Sequence, residues 1–78
     1  MNTTNLKAVA QSLRTAGYEP VISPTGSCIE LIVPHGQDRN VRNAIPMWQW
    51  FWFGVRTGTI HEHDRDKPGN DIIEITVR

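Results

Sequence analysis

Hydrophobic and polar positions follow two rhythms along this chain. Near the start, Leu6, Val9, Ala10, Leu13 and Ala16 recur at i, i+3, i+4 and i+7, the spacing that draws one apolar stripe along a helix. Lys7, Gln11, Ser12 and Arg14 fall on the other side. Thr3 or Thr4 can serve as N-cap through its hydroxyl. Gly17 stands where a left-handed residue ends a helix, and Tyr18 leads the chain away.

The rhythm then changes to a period of two. In "YEPVIS" (18–23) Pro20 lacks an N–H, which suits an edge strand. "PTGS" (24–27) reads as a turn. In "CIELIV" (28–33), Ile29, Leu31 and Val33 share one face and Glu30 lies between Cys28 and Ile32 on the other. "PHGQDRN" (34–40) is a polar loop, and "VRNAI" (41–45) is extended or irregular. "TIHEHD" (59–64) and "DIIEITVR" (71–78) read as strands, the latter with Ile73, Ile75 and Val77 on one face. "RDKPGN" (65–70) reads as the turn between them, with Pro68-Gly69 at its tip.

Between these lies "MWQWFWFGV" (47–55), which holds all three tryptophans and both phenylalanines. Trp48 and Trp52 are four apart, as on a helix face. Strand is the stronger reading, because aromatics favour strands and Pro46 and Gly54 bracket a run of strand length. The expected fold is therefore α+β: one N-terminal helix packed on a mostly antiparallel meander of four to five strands, in two layers and one domain spanning residues 1–78.

A strand here would place Trp48, Trp50 and Trp52 on one side and Phe51, Phe53 and Val55 on the other, with only one helix to cover either. If Thr57-Gly58 is a two-residue turn, Trp52 lies opposite His63, and the tryptophans join His61 and His63 on the face away from the helix. If Arg56-Thr57-Gly58 is a three-residue loop, Trp52 lies opposite Glu62 instead. The first register is preferred. One set of aromatics is then core. The other is covered by loop 34–46, by a second copy of the chain or by another protein.

Composition narrows the functions. Eight basic and eight acidic residues cancel, with five and three in residues 1–56 and three and five in 57–78. That balance argues against a dedicated nucleic-acid binder. Arg39 and Arg42, in a small polar basic loop, are the residues that would touch phosphates if exposed tryptophans stacked on bases. Cys28 is the sole cysteine, which excludes an internal disulfide and suits a reducing cytoplasm. The start lacks a secretory pattern, and the apolar run at 45–55 is far shorter than the ~20 residues of a spanning helix. A cytoplasmic protein with no membrane association is expected.

Chemistry offers little. His61 and His63, at i, i+2 on one strand, point the same way and could share zinc or nickel, with Asp66, His35 or Cys28 completing the set. A third and fourth ligand at recognisable spacing is missing, so solvent-facing histidines and no metal or cofactor are expected. Glu62, Asp64, Asp66, Asp71 and Glu74 read mainly as a solvated hairpin end. No nucleophile–base order and no phosphate-cradling loop is present, so an enzyme is not expected.

A short chain, neutral overall, with one helix, a tryptophan-rich strand and no catalytic signature resembles in general character the orphan accessory proteins of bacteriophages and prophages. That resemblance implies a protein that acts by binding a host or phage macromolecule, in the host cytoplasm if phage-encoded. The expected function is a non-enzymatic interaction module, a possible homodimer, binding a protein or itself through Trp48, Trp50, Trp52, His61 and His63.

Overall fold

A computed structural model describes residues 3–64 and 67–78, with the side chains of residues 62–68 outside the description. The elements run α1 (Thr3–Thr15), β1 (Val21–Ile22), β2 (Ile29–Pro34), α2 (Asp38–Ala44), α3 (Met47–Phe53), β3 (Arg56–Asp64) and β4 (Lys67–Thr76). This is an α+β fold with the N-terminal helix on a four-stranded antiparallel sheet.

Helix α1 forms as its stripe dictates. Leu6, Val9, Ala10 and Leu13 are buried, while Ala16 lies beyond the helix and is exposed. Thr3 and Thr4 fall inside the helix rather than at its N-cap. At the other end Gly17 takes φ +97°. The Gly17 amide donates to the Arg14 carbonyl (2.9 Å) and the Tyr18 amide to that of Leu13 (3.0 Å), a complete left-handed helix stop.

In β2 the alternation is strict: Ile29, Leu31 and Val33 are buried, while Glu30, Ile32 and Pro34 are exposed. Strand β1 pairs only with β2, Val21 opposite Glu30, and is an edge as Pro20 suggested. The strand order β1-β2-β4-β3 departs from a meander. Strand β4 lies antiparallel to both β2 and β3 and separates them, so β2 and β3 are parallel and joined across it by α2 and α3.

Ile73 pairs with both Leu31 and Thr59, and Ile75 with both Ile29 and Thr57. These residues face α1, and Ile73 and Ile75 are buried in the core with Val41, Ile45 and Val55. Ile72 pairs with Ile32 and Ile60 on the opposite face, where Ile32 and Ile60 are exposed. The sheet therefore carries its helices on one side only.

Four local expectations are corrected. The aromatic run is helix α3, not a strand, and residues 38–44, expected as the end of a polar loop and an extended or irregular segment, form helix α2. Pro46 precedes α3, its carbonyl accepting from the Gln49 amide (3.0 Å), and Gly54 ends it with φ 61° and ψ 49°. Proline at the start and glycine just past the end is the helical asymmetry, and it prevails here over the strand preference of aromatic residues. Consequently Arg56-Thr57-Gly58 is not a hairpin loop but the start of β3, with Arg56 opposite Thr76. Pro68 and Gly69 lie within β4 rather than at a turn tip. Residues 65–66 lie outside the described residues.

Candidate functional site

Helix α3 is amphipathic in an inverted sense. Its buried residue is Gln49, 3% exposed, with Oε1 3.0 Å from the Ser12 hydroxyl on α1. That hydroxyl also lies 3.2 Å from the Ala8 carbonyl, so its one proton is shared between two acceptors. Trp50 and Phe53 pack partly against the core, and the Trp50 indole Nε1 donates to the Ile45 carbonyl (3.2 Å).

The remaining residues of α3 face water: Met47 is 71% exposed, Trp48 53%, Phe51 74% and Trp52 79%. The i, i+4 pairs 47/51 and 48/52 make them neighbours on one helix face. Trp48 meets Phe53 edge to face, with ring centroids 5.4 Å apart. Beside them lies an open hollow of about 410 Å³ lined by Arg42, Asn43, Ile45, Pro46, Met47 and Trp50.

Helix geometry redistributes the expected site. Trp48 and Trp52 stay together on an outer face, joined by Met47 and Phe51, whereas Trp50 turns inward. His61 is separated from them in role: it pairs with Asp71 across β3 and β4, on the core side of the sheet. The side chain of His63 lies outside the described residues. Arg39 and Arg42 are both exposed on α2, and Arg42 borders the hollow that Met47 and Trp50 line.

A second constellation surrounds Asp71. Its place in register with Ile73 and Ile75 points it to the core side, and it is 1% exposed, which corrects its reading as part of a solvated hairpin end. Oδ1 lies 2.6 Å from His61 Nδ1 and 3.1 Å from His35 Nδ1. Oδ2 accepts the Gly36 backbone N–H at 3.2 Å. Both imidazoles are about half exposed, at 50% and 54%. Their rings meet edge to face, with centroids 5.5 Å apart.

The hydrogen bond from His61 does most to hold the Asp71 carboxyl down, at about 2 against an ordinary 3.8; His35 and Gly36 assist and burial opposes them. Asp71 thus remains a carboxylate at neutral pH. The signal for its burial was in the sequence, since positions 71, 73 and 75 alternate onto one face with the core isoleucines.

Comparisons with protein-family models, with curated proteins and with solved structures return no match. Among the described residues, no helix is long and apolar enough to cross a membrane.

Proposed function

We propose that this protein is a small interaction module that docks another protein, or a second copy of itself, through the outer aromatic face of α3. The observation that carries this reading is the inversion of that helix: its polar Gln49 is inside while Met47, Trp48, Phe51 and Trp52 face water. Burying such a side chain fully is worth about 1.5–3 kcal/mol, so four of them exposed together are a reserve that folding leaves unused. Trp is also among the residue types enriched where binding energy concentrates.

The four side chains offer on the order of 500 Å², given ~150–250 Å² for each buried aromatic. A stable interface takes about 800 Å² per partner. The hollow along Arg42, Asn43 and Pro46 adjoins Met47 and extends the surface toward that size. In keeping with its resemblance in general character, the setting we propose is that of a phage or mobile-element accessory protein in a host cytoplasm.

A second reading rests on Arg42 beside that hollow, with Arg39 on the same helix. These could hold phosphates while Trp48 and Trp52 stack on bases. A formal net charge of zero weakens the phosphate attraction such binding depends on, so it ranks below protein docking.

The test combines light scattering after size exclusion, iodide quenching of tryptophan, and a photo-crosslinker at position 52. Docking predicts either a concentration-dependent dimer or a specific crosslinked protein. Either product should be lost in the Trp48→Ser/Phe51→Ser variant. A strict monomer that yields no crosslink sensitive to that variant refutes the reading. Salt-sensitive oligonucleotide binding lost on Arg39→Ala/Arg42→Ala would favour the second.

A further inference from the structure

We propose that His35, His61 and Asp71 form a binding site for a divalent transition-metal ion of the zinc class. Its protein ligands are Nδ1 of the two imidazoles and Oδ1 of the carboxylate. The three residues come from three separate pieces of backbone: the loop after β2, the middle of β3 and the middle of β4. Strand pairing brings two of them together, His61 opposite Asp71, and Val33 opposite Asp71 sets the start of the loop that carries His35. One ligand atom from each lies within 4.8 Å of the others.

The spacing is close to what an ion requires. Metal–ligand bonds of about 2.0–2.2 Å place tetrahedral ligand atoms roughly 3.3 Å apart. Here Oδ1 stands 2.6 and 3.1 Å from the two nitrogens. Admitting an ion asks the imidazoles to retreat by a fraction of an ångström, which half-exposed rings can do by small rotations. Asp71 need not move. The Gly36 amide holds Oδ2 and leaves Oδ1 directed at the histidines, the outer support that orients a ligating carboxylate.

The donor set selects the ion. Two imidazole nitrogens and one carboxylate oxygen suit zinc, nickel, cobalt or ferrous iron, whereas magnesium and calcium favour all-oxygen cages. Three protein ligands on the exposed side of a buried carboxylate leave at least one coordination position for water, the pattern of an open rather than a closed zinc site. On binding, each imidazole uses Nδ1 as the ligand and carries its proton on Nε2.

A hydrogen-bonded clamp is the competing explanation, and stability argues against it as the whole reason. Alternation with Ile73 and Ile75 would place an apolar residue at position 71. A buried carboxylate there is expensive even when paired, and apolar replacements of buried charges are often neutral or stabilising. A buried charge on which titratable partners converge is the arrangement in which functional sites are sought.

The experiment uses the full chain after removal of bound metal with a chelator. Zinc is titrated by calorimetry, and cobalt serves as the optical probe. The expected result is one equivalent of metal, with the visible cobalt bands of a low-symmetry, four- or five-coordinate site. His35→Gln and His61→Gln should each weaken binding by more than the ~10–100-fold typical of losing an outer-sphere support. Asp71→Asn risks the fold, so the two exposed histidines carry the test, with circular dichroism confirming that their variants remain folded. Absence of stoichiometric binding, or binding indifferent to His35, overturns the proposal. So does binding lost in His63→Gln but kept in His35→Gln, which would place the ion on the adjacent strand histidines. No zinc effect together with intact folding would leave Asp71 a hydrogen-bonded clamp only.

Discussion

Replacing Phe51 and Trp52 together by serine separates the two accounts of the aromatic run by a wide margin. In a buried strand, each loss would cost about 3–5 kcal/mol, and the pair would leave a 78-residue domain unfolded, since such a core supplies only ~3–5 kcal/mol in total. On α3 the arithmetic differs. Phe51 is 74% and Trp52 79% exposed, so only about a quarter and a fifth of each is covered. At ~150–250 Å² per aromatic side chain and 25 cal/mol/Å², that is roughly 1 kcal/mol each as an upper bound, because unfolded chains already bury part of this area. Helix propensity adds nothing, since Ser, Phe and Trp rank together.

The Phe51→Ser/Trp52→Ser variant should therefore stay folded and lose at most about 2 kcal/mol. For a chain of this length that is a shift of roughly 8–16 °C in Tm. Far-ultraviolet circular dichroism during urea unfolding, at a concentration where the protein is monomeric, measures it. Dilution matters because a dimer through this face would add a concentration-dependent term to the parent's stability. Trp50→Ala is the internal contrast. Its ring packs on the core and its indole N–H is bonded to Ile45, so it should cost more than either outer residue. Loss of 3 kcal/mol or more from the Phe51/Trp52 variant, or a Trp50→Ala variant milder than Phe51→Ser or Trp52→Ser alone, would refute the placement of α3.

Three further outcomes follow from particular residues. Gly54→Ala should destabilise by about 1–2 kcal/mol, because Gly54 holds φ 61° and an added Cβ would meet the Arg78 side chain; an unchanged urea midpoint would contradict the helix stop. Thr59→Val should stabilise by about 1 kcal/mol, since Thr59 Oγ1 is buried without a hydrogen-bond partner among the described residues and valine keeps its shape and strand preference; a lowered midpoint would show that the hydroxyl is satisfied. In metal-free protein, Asp71 contributes stability that is fully present above its ordinary value of 3.8 and is lost as pH falls toward about 2. His61→Gln removes the partner that lowers this pKa most, so the difference in urea midpoint between parent and His61→Gln should shrink across that window, and a difference constant from pH 6 to pH 2 would show the carboxyl to be unperturbed.

Much of this architecture could be read from local pattern. The α1 stripe, the stop at Gly17, the edge position of β1 and the inward faces of β2 and β4 all follow from spacing, because each element has one dry side. The aromatic run could not be decided that way. A short apolar segment has no polar face to reveal its period, and the useful cues were Pro46, Gly54 and the solitary Gln49, which a helix turns inward. Helix α2 was hidden for the opposite reason: Val41 is its one buried residue, too little to show a rhythm. Strand order is a non-local property and left no local trace. For the candidate sites, Trp48 and Trp52 are exposed as expected but on a helix rather than a strand, while Asp71 was visible in alternation and misread because charged residues rarely lie inside.

The position of β4 also bears on how the sheet closes. Strands β2 and β3 never pair with each other; each is completed only by residues 67–76. Neither strand can complete its ladder on that side until residues 67–76 are in place. Without β4 each presents unsatisfied backbone edges, and Ile29 and Leu31 lose their cross-strand neighbours Ile75 and Ile73. Closing the sheet is therefore a non-local step, and a chain cut before residue 67 would offer the bare edges of both strands to other chains.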